Sequence, residues 1–406
     1  MDSAIGVAVT GLGVVSAIGN ALDIFWTNAV SGRSAIASVG EGNADRLNPS
    51  LLLARVNDRD FVDTLVGHPA DKADRFAQFA VIAARNALSD SGLNMDSVDR
   101  ERVAVVLGSA MGGQLTQDAA YAQLYLAGAK RVPPLTVPRL MTNASVSHVS
   151  MDLGLRGECY AVSSACASST HAIGQAMRLI RSGDADVAIT GGSDATLVFG
   201  AIKGWEALRV MSSDGCRPFC LTRNGMVLGE GAGMLVLEDL AAAKKRGARI
   251  YAIIAGYGAT ADAHDLTSPS LEHTSLAMTR ALRSAGLKPE EIDHINAHGT
   301  GTRQNDLVEG RAIARVFGTA SSRIATTSTK SVLGHCLGAA GALEAVATVL
   351  SVHCGIVPPT AGWREGDPDI PLDIVRNEAR LVRIRSALSN SFAFGGLNAS
   401  LAFRAV

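Results

Sequence analysis

The chain has 406 residues, 47% hydrophobic and 18% charged, which excludes extended disorder and leaves room for two or three domains. Thirty-seven basic and thirty-eight acidic side chains give a formal net charge of -1, which argues against nucleic acid as the main partner. Six cysteines are too sparse for a disulfide scaffold, the start Met1-Asp2-Ser3-Ala4 lacks the basic region of a secretory signal, and apolar runs break before about 18 residues, so a cytoplasmic protein without a membrane span is expected.

The opening run from Gly6 to Val15 predicts a buried strand followed by a tight turn at Gly11-Leu12-Gly13. Further strands are predicted at 103–107, 186–190, 233–237 and 249–254, with helices at 75–87, 169–180 and 339–350. This alternation indicates an α/β architecture. No linker divides the chain, and Pro133-Pro134 and Pro358-Pro359 read as loops within a domain. Ala87-Leu88-Ser89-Asp90-Ser91-Gly92-Leu93, running on to Asp99, echoes Ala281-Leu282-Arg283-Ser284-Ala285-Gly286-Leu287, running on to Asp293, at a constant offset of 194 residues. A repeat of two units predicts a duplicated domain, with halves at 1–250 and 251–406.

Three residues stand out chemically. Cys166, in Ser163-Ser164-Ala165-Cys166-Ala167-Ser168-Ser169, precedes a helix, whose positive end is expected to favour the thiolate and whose free N–H groups can hold an oxyanion. His298, in Asn296-Ala297-His298-Gly299-Thr300-Gly301-Thr302, follows a predicted strand at 292–295, and His335 follows Ser328-Thr329-Lys330-Ser331-Val332-Leu333-Gly334. Glycine neighbours let either imidazole approach a substrate, so a Cys/His site is plausible. Cys216 and Cys220 lack a second pair at zinc-like spacing, and Gly11-Leu12-Gly13 lacks the rest of a dinucleotide fingerprint. Phe392-Ala393-Phe394-Gly395-Gly396-Leu397-Asn398 reads as a corner able to cap a tunnel.

Taken together these segments resemble the elongating β-ketoacyl-acyl-carrier-protein synthases of the thiolase superfamily, nearly end to end. Ser164-Ala165-Cys166-Ala167-Ser168, Ala297-His298-Gly299-Thr300-Gly301-Thr302, Ser328-Thr329-Lys330-Ser331 with Gly334-His335, Val227-Leu228-Gly229-Glu230-Gly231 and Phe394-Gly395-Gly396 carry the likeness. The resemblance implies a duplicated thiolase-like fold, a five-layer α-β-α-β-α sandwich, usually a homodimer. It implies a Claisen condensation in which Cys166 holds the acyl group and malonyl-acyl-carrier protein loses carbon dioxide, no cofactor being needed because phosphopantetheine arrives on the carrier protein. By the same resemblance His298 and His335 hold the enolate oxygen, N–H groups of Cys166 and Phe394 form a second oxyanion hole beside Gly395, and Lys330, paired with Glu309, tunes the histidines. Thr300, Thr302, Met111 and Phe392 match substrate-lining positions. Asn296, Glu344, Ser389 and Asn390 match a site for a monovalent cation, with no catalytic metal. Lys72, Arg75, Lys130 and Arg131 are candidates for docking the carrier, diluted by Asp71 and Asp74.

Some segments depart from the fatty-acid pattern. Gln304-Asn305-Asp306 is similar to aromatic-polyketide and nodulation-type synthases, Trp205-Glu206-Ala207-Leu208 is similar to the nodulation type, and Leu397 stands where Thr is usual. A thiolase needs a second catalytic cysteine near the C-terminus, and none follows Cys354; a chain-length factor lacks the nucleophile, which is present here.

Overall fold

The computed structural model describes residues 6–40, 47–57 and 65–406, so the opening Met1–Ala4 segment lies outside the described residues. The first apolar run is one strand, β1 (Val7–Ser16), buried along its whole length. The expected turn at Gly11-Leu12-Gly13 is absent; a register shift between Val9 and Gly11 is the irregularity instead. Those glycines serve close approach. A Cβ on Gly13 would stand 2.0 Å from the Ala83 carbonyl oxygen, and one on Gly11 2.1 Å from that of Ala87, so their absence lets helix α1 (Arg75–Ser91) lie directly on the strand.

The remaining sheet strands are β2 (Val103–Gly108), β3 (Cys159–Val162), β4 (Val187–Asp194), β5 (Gly231–Asp239), β6 (Ala252–Ala261), β7 (His294–Asn296), β8 (Ala325–Thr327), β9 (Ser386–Ala393) and β10 (Leu397–Arg404). The ten strands run in the order β8-β7-β9-β10-β6-β1-β5-β4-β2-β3. Counted within each half, both sets read 3-2-4-5-1, with the fifth strand antiparallel to its neighbours and the other pairs parallel. The halves join where β1 pairs β6 in antiparallel fashion, Val7 opposite Ile254. Duplication is therefore written in the topology.

The helices that matter below are, after α1, α2 (Gln114–Tyr125), α3 (Ala144–Leu153), α4 (Ser168–Ser182), α5 (Phe199–Ala207), α6 (Leu271–Ala285), α7 (Arg303–Phe317), α8 (Lys330–Leu333) and α9 (Ala340–Cys354). Helices α4 and α9 touch each other and strands of both halves; α1 and α3 cover one outer face, α6 and α7 the other. This is the helix–sheet–helix–sheet–helix stack. Helices α1 and α6 end in the same way, at Gly92 (φ 59°) and Gly286 (φ 61°), 194 residues apart as in the sequence echo. Helix α9 is buried from Ala340 to Val352, as a helix apolar on every side must be. Among the described residues, the segment Leu337–Cys354 is the one stretch long and apolar enough to cross a membrane, and 89% of it is buried inside the protein.

His294 on β7 is fully buried, its Nδ1–H donating to the Ala325 carbonyl at 2.7 Å while Nε2 has no partner. Burial lowers its pKa to about 4. The unfolded chain therefore takes up this proton first, so the stabilisation is complete above the ordinary value of about 6.5 and fades as pH falls towards 4. Denaturant titrations at pH 7 and pH 4.5 are expected to show His294→Leu gaining on the parent at the lower pH, by on the order of 3 kcal/mol. An unchanged difference would mean that His294 is not held neutral.

Candidate active site

Cys166 sits between β3 and α4, at a corner where Ala165 takes a left-handed φ of 49°, unusual for a residue with a Cβ. Ser168 fastens that corner: its hydroxyl accepts the Ser164 N–H at 2.9 Å and donates to the Ala165 carbonyl at 2.6 Å. The backbone N–H of Phe394 points to the Cys166 sulfur. Cys166 is 6% exposed, and burial pushes its thiol up to about 12 against the opposing pull of the Lys330 charge. The expectation of a resting thiolate is thus corrected. Loss of hydration is the largest cause, and it favours the protonated thiol.

His298 and His335 lie across from it, ring centroids 5.4 Å apart and nearly perpendicular at 81°. Both are fully buried, and burial together with the Lys330 charge holds both pKa values well below 6.5, so both rings are neutral. Their tautomers follow from their partners. The Leu337 N–H donates to His335 Nδ1 at 3.2 Å, and the Lys330 ammonium lies 3.3 Å from His298 Nδ1. Neither donor tolerates a proton on the nitrogen it faces, so each ring carries its hydrogen on Nε2. Two neutral N–H donors thus share one space with a thiol.

That space is a cavity of about 600 Å³ whose buried floor includes Cys166, His298, His335 and Phe392. Thr300 and Thr302 line its wall, bonded hydroxyl to hydroxyl at 2.9 Å, and Phe394 lines it too, its ring stacked on Trp205 at 5.8 Å. The exposed mouth carries Leu208, Arg209, Leu266, Arg303 and Gln304.

Models of the β-ketoacyl synthase N-terminal and C-terminal domains match residues 5–243 and 251–364. The chain belongs to the β-ketoacyl synthase family. It is a condensing, acyl-transferring enzyme of the thiolase-like fold. This synthase is 45% identical to nodulation protein E of Rhizobium sp. (strain N33), over 98% of this chain and 99% of that one. It is 41% identical to 3-oxoacyl-[acyl-carrier-protein] synthase 2 of Staphylococcus aureus (strain MRSA252), over 100% and 99%. Among solved structures, the ishigamide ketosynthase/chain length factor matches with a TM-score of 0.94 at 35% identity, and the AntDE ketosynthase in complex with its acyl-carrier protein AntF with 0.92 at 30%, each over 100% of both chains.

Within the synthase several assignments shift. Lys330 is paired with Glu344 rather than Glu309, and donates also to the His298 carbonyl at 2.6 Å. Glu309 instead accepts the backbone N–H groups of His298 (2.8 Å) and Gly299 (2.7 Å), burial raising its pKa to about 7. One turn earlier on α7, Asp306 accepts from Gly301 (3.2 Å) and Phe219 (2.8 Å). Two carboxylates spaced i, i+3 thus clamp the loop that carries His298, a spacing visible in the sequence beside the Gly-rich corner. Asp194, which the sequence reading missed, accepts from Ser109 Oγ, Ala110 N–H and Gly338 N–H and so ties β2's corner to the segment after His335. No local pattern marks it.

Met111 does not line the cavity; it packs against the core with Ala110 and Val162. The Gly395 N–H is taken by the Leu266 carbonyl at 2.7 Å, so Gly395 offers no oxyanion donor. Arg75 is committed to a two-pronged pair with Glu230, and Asp74 is the buried N-cap of α1, whereas Lys72, Lys130 and Arg131 are exposed. Of the four cation-site residues, Asn390 is occupied by Ser400, its Oδ1 accepting at 2.8 Å. Asn296 Oδ1, Glu344 Oε2 and Ser389 Oγ are buried without partners, and Asn296 lies opposite Ser389 in the β7–β9 register.

Removing the Lys330 charge should raise the His298 pKa towards the ordinary value, since that charge is one of the causes holding it down. Nitrogen-15 spectra of histidine are expected to show both rings as neutral Nε2–H tautomers from pH 6 to 8 in the parent. In Lys330→Ala, His298 should protonate at a higher pH than in the parent, burial still holding it below the ordinary value, and should lose its fixed tautomer. Identical titrations in the two proteins would remove Lys330 from this role.

Proposed function

We propose that this chain is a β-ketoacyl-acyl-carrier-protein synthase of fatty-acid or related specialised acyl-chain biosynthesis. The observation that carries the reading is the pair of neutral imidazoles, each with Nδ1 engaged from behind and Nε2–H left for the space above Cys166. Cys166 sulfur attacks the carbonyl of a carrier-bound acyl thioester, and its proton leaves with the departing pantetheine thiolate. A malonyl thioester then enters along Thr300 and Thr302. Its carboxylate departs as carbon dioxide, and the electron pair of the broken C–C bond passes into an enolate whose oxygen takes the Nε2–H bonds of His298 and His335. The enolate carbon attacks the acyl-Cys166 carbonyl, whose developing oxyanion takes the N–H groups of Phe394 and Cys166. Collapse expels the Cys166 thiolate, which recovers a proton. Neutral donors suit this sequence, because an imidazolium would protonate the carbanion it is meant to stabilise. The steps balance without a redox partner or a cofactor of the chain's own.

A monovalent cation fits the three unpartnered oxygens of Asn296, Glu344 and Ser389, since all are buried acceptors and one belongs to a carboxylate. Bound there it would supply positive charge beside Glu344 and stiffen the β7–β9 corner, without a part in bond making. Carrier recognition is supported by the exposed guanidinium groups of Arg209 and Arg303 at the mouth, which the sequence reading had not singled out. A homodimer is supported by β3, an edge strand paired on one side alone, flanked by an apolar surface on which Tyr125, Leu126, Leu135, Val137 and Met151 are each more than half exposed.

Intact-mass measurement after incubation with acyl-carrier thioesters should find one adduct on Cys166, lost in Cys166→Ala. His335→Ala should still take the acyl group but release carbon dioxide from malonyl-carrier protein about 10²–10³-fold more slowly, the usual effect of deleting one such donor. An adduct on another residue, or normal decarboxylation by the variant, would overturn the mechanism. Sedimentation should give twice the chain mass at micromolar concentration; a monomer would remove the dimer reading.

A further inference from the structure

His335 is aimed by a segment held at both ends. At its start the backbone is exchanged with the run before β5: the His335 N–H donates to the Val227 carbonyl at 2.7 Å, and the Gly229 N–H donates to the His335 carbonyl at 3.0 Å. Three residues on, the Gly338 N–H donates to Asp194 Oδ2 at 2.7 Å. Asp194 is the last residue of β4, its backbone opposite Gly231 of β5, so both grips refer to neighbouring parts of one sheet. Between them stands Leu337, at a left-handed φ of 47° that a residue with a Cβ keeps only where its surroundings impose it. The Leu337 N–H donates to His335 Nδ1 at 3.2 Å. Gly338 admits the far grip, since a Cβ there would stand 2.5 Å from Asp194 Oδ2 and would also meet the Ala110 nitrogen.

Asp194 is itself fixed. It is fully buried, and Oδ2 also accepts the Ala110 N–H at 2.9 Å while Oδ1 accepts from Ser109 Oγ at 2.7 Å. Burial raises its pKa to about 6 against those hydrogen bonds, leaving it ionised at pH 7. We propose that Asp194 is a positioning residue for decarboxylation: by holding Gly338 it keeps the Leu337 N–H on His335 Nδ1, and so keeps the His335 hydrogen on Nε2. This rests on the ketosynthase reading. Without the carboxylate, Leu337 relaxes to a negative φ and its N–H leaves the ring, so nothing forbids a proton on Nδ1. The imidazole then divides between two tautomers, one of which presents a lone pair instead of a donor to the enolate oxygen. The role is one of hydrogen bonding and not of charge. An amide oxygen in place of Oδ2 can accept both N–H groups, its NH2 donating to Ser109 Oγ as that hydroxyl turns round. Acyl transfer to Cys166 uses other donors, so loss of Asp194 separates the two halves of the reaction.

The test uses the full-length chain carrying nitrogen-15 histidine, with the His335 signals assigned by their absence from His335→Ala. At pH 7 the parent and Asp194→Asn should each show a single Nε2–H tautomer for His335, whereas Asp194→Ala should show a mixture. Decarboxylation of malonyl-carrier protein should fall about tenfold in Asp194→Ala, short of the loss of the whole donor, and stay within about twofold of the parent in Asp194→Asn. Acylation of Cys166 should be no slower than in the parent in either variant, since the Asp194 charge opposes the thiolate. If Asp194→Ala does not fold, Asp194→Ser takes its place, its oxygen stopping about one bond length short of the Gly338 N–H. A single parental tautomer in Asp194→Ala, tautomer loss in Asp194→Asn, or equal falls in acylation and decarboxylation would overturn the role. If the parent releases no carbon dioxide from malonyl-carrier protein, the ketosynthase reading fails instead, while the tautomers still decide what Asp194 does to His335.

Discussion

The site depends on one ammonium group held out of water. Lys330 is 1% exposed, on the short helix α8, and every reacting group feels it. It helps keep His298 and His335 neutral, it opposes the rise of the Cys166 pKa, and through His298 Nδ1 it decides which ring nitrogen carries the hydrogen. Such a charge is tolerable in the interior because Glu344 and the His298 carbonyl take its hydrogens. The same ion pair leaves the second Glu344 oxygen unpartnered, as are Asn296 Oδ1 and Ser389 Oγ.

Around this charge the two halves contribute equivalent corners. Cys166 follows the third strand of the first half, and His335 follows the third strand of the second, so duplication turns two strand-to-helix corners towards each other across α4 and α9. His298 comes from the end of β7, the second strand of its half. Carboxylates then fix the loops in place. Glu309 and Asp306 hold the His298 loop by its N–H groups, and Asp194 holds the corner after β2 against Gly338. Backbone clamping of this kind leaves the imidazole edges free.

What was legible in the sequence follows from range. Six of the ten sheet strands, several of the long helices and the duplication were readable because each rests on local periodicity or on a cap, as at Gly92 and Gly286, whereas β3, β8, β9, β10 and α7 were not predicted. The nucleophile and both histidines stood out because their motifs are short and contiguous. The partner of Lys330 did not, since the choice between Glu309 on α7 and Glu344 on α9 is made by how two distant helices pack. Asp194 was invisible for the same reason, its contacts lying 84 and 144 residues away in the chain. The Gly11-Leu12-Gly13 reading failed because a glycine that opens a turn and one that admits a neighbouring helix look alike in sequence. The Cys166 pKa was misjudged because burial, unlike a helix terminus, leaves no local mark.

The central position of α9 also bears on how the chain can be made. This helix belongs to the second half, yet it supplies packing for strands of the first. During synthesis the first half is complete at about residue 245, while α9 ends at Cys354, roughly a hundred residues later. At ribosomal speeds of about 5–20 residues per second, the part of that face that α4 does not cover waits some 5–20 s for α9. Each half therefore depends on the other for part of its packing, α9 on strands of the first half and α4 on strands of the second.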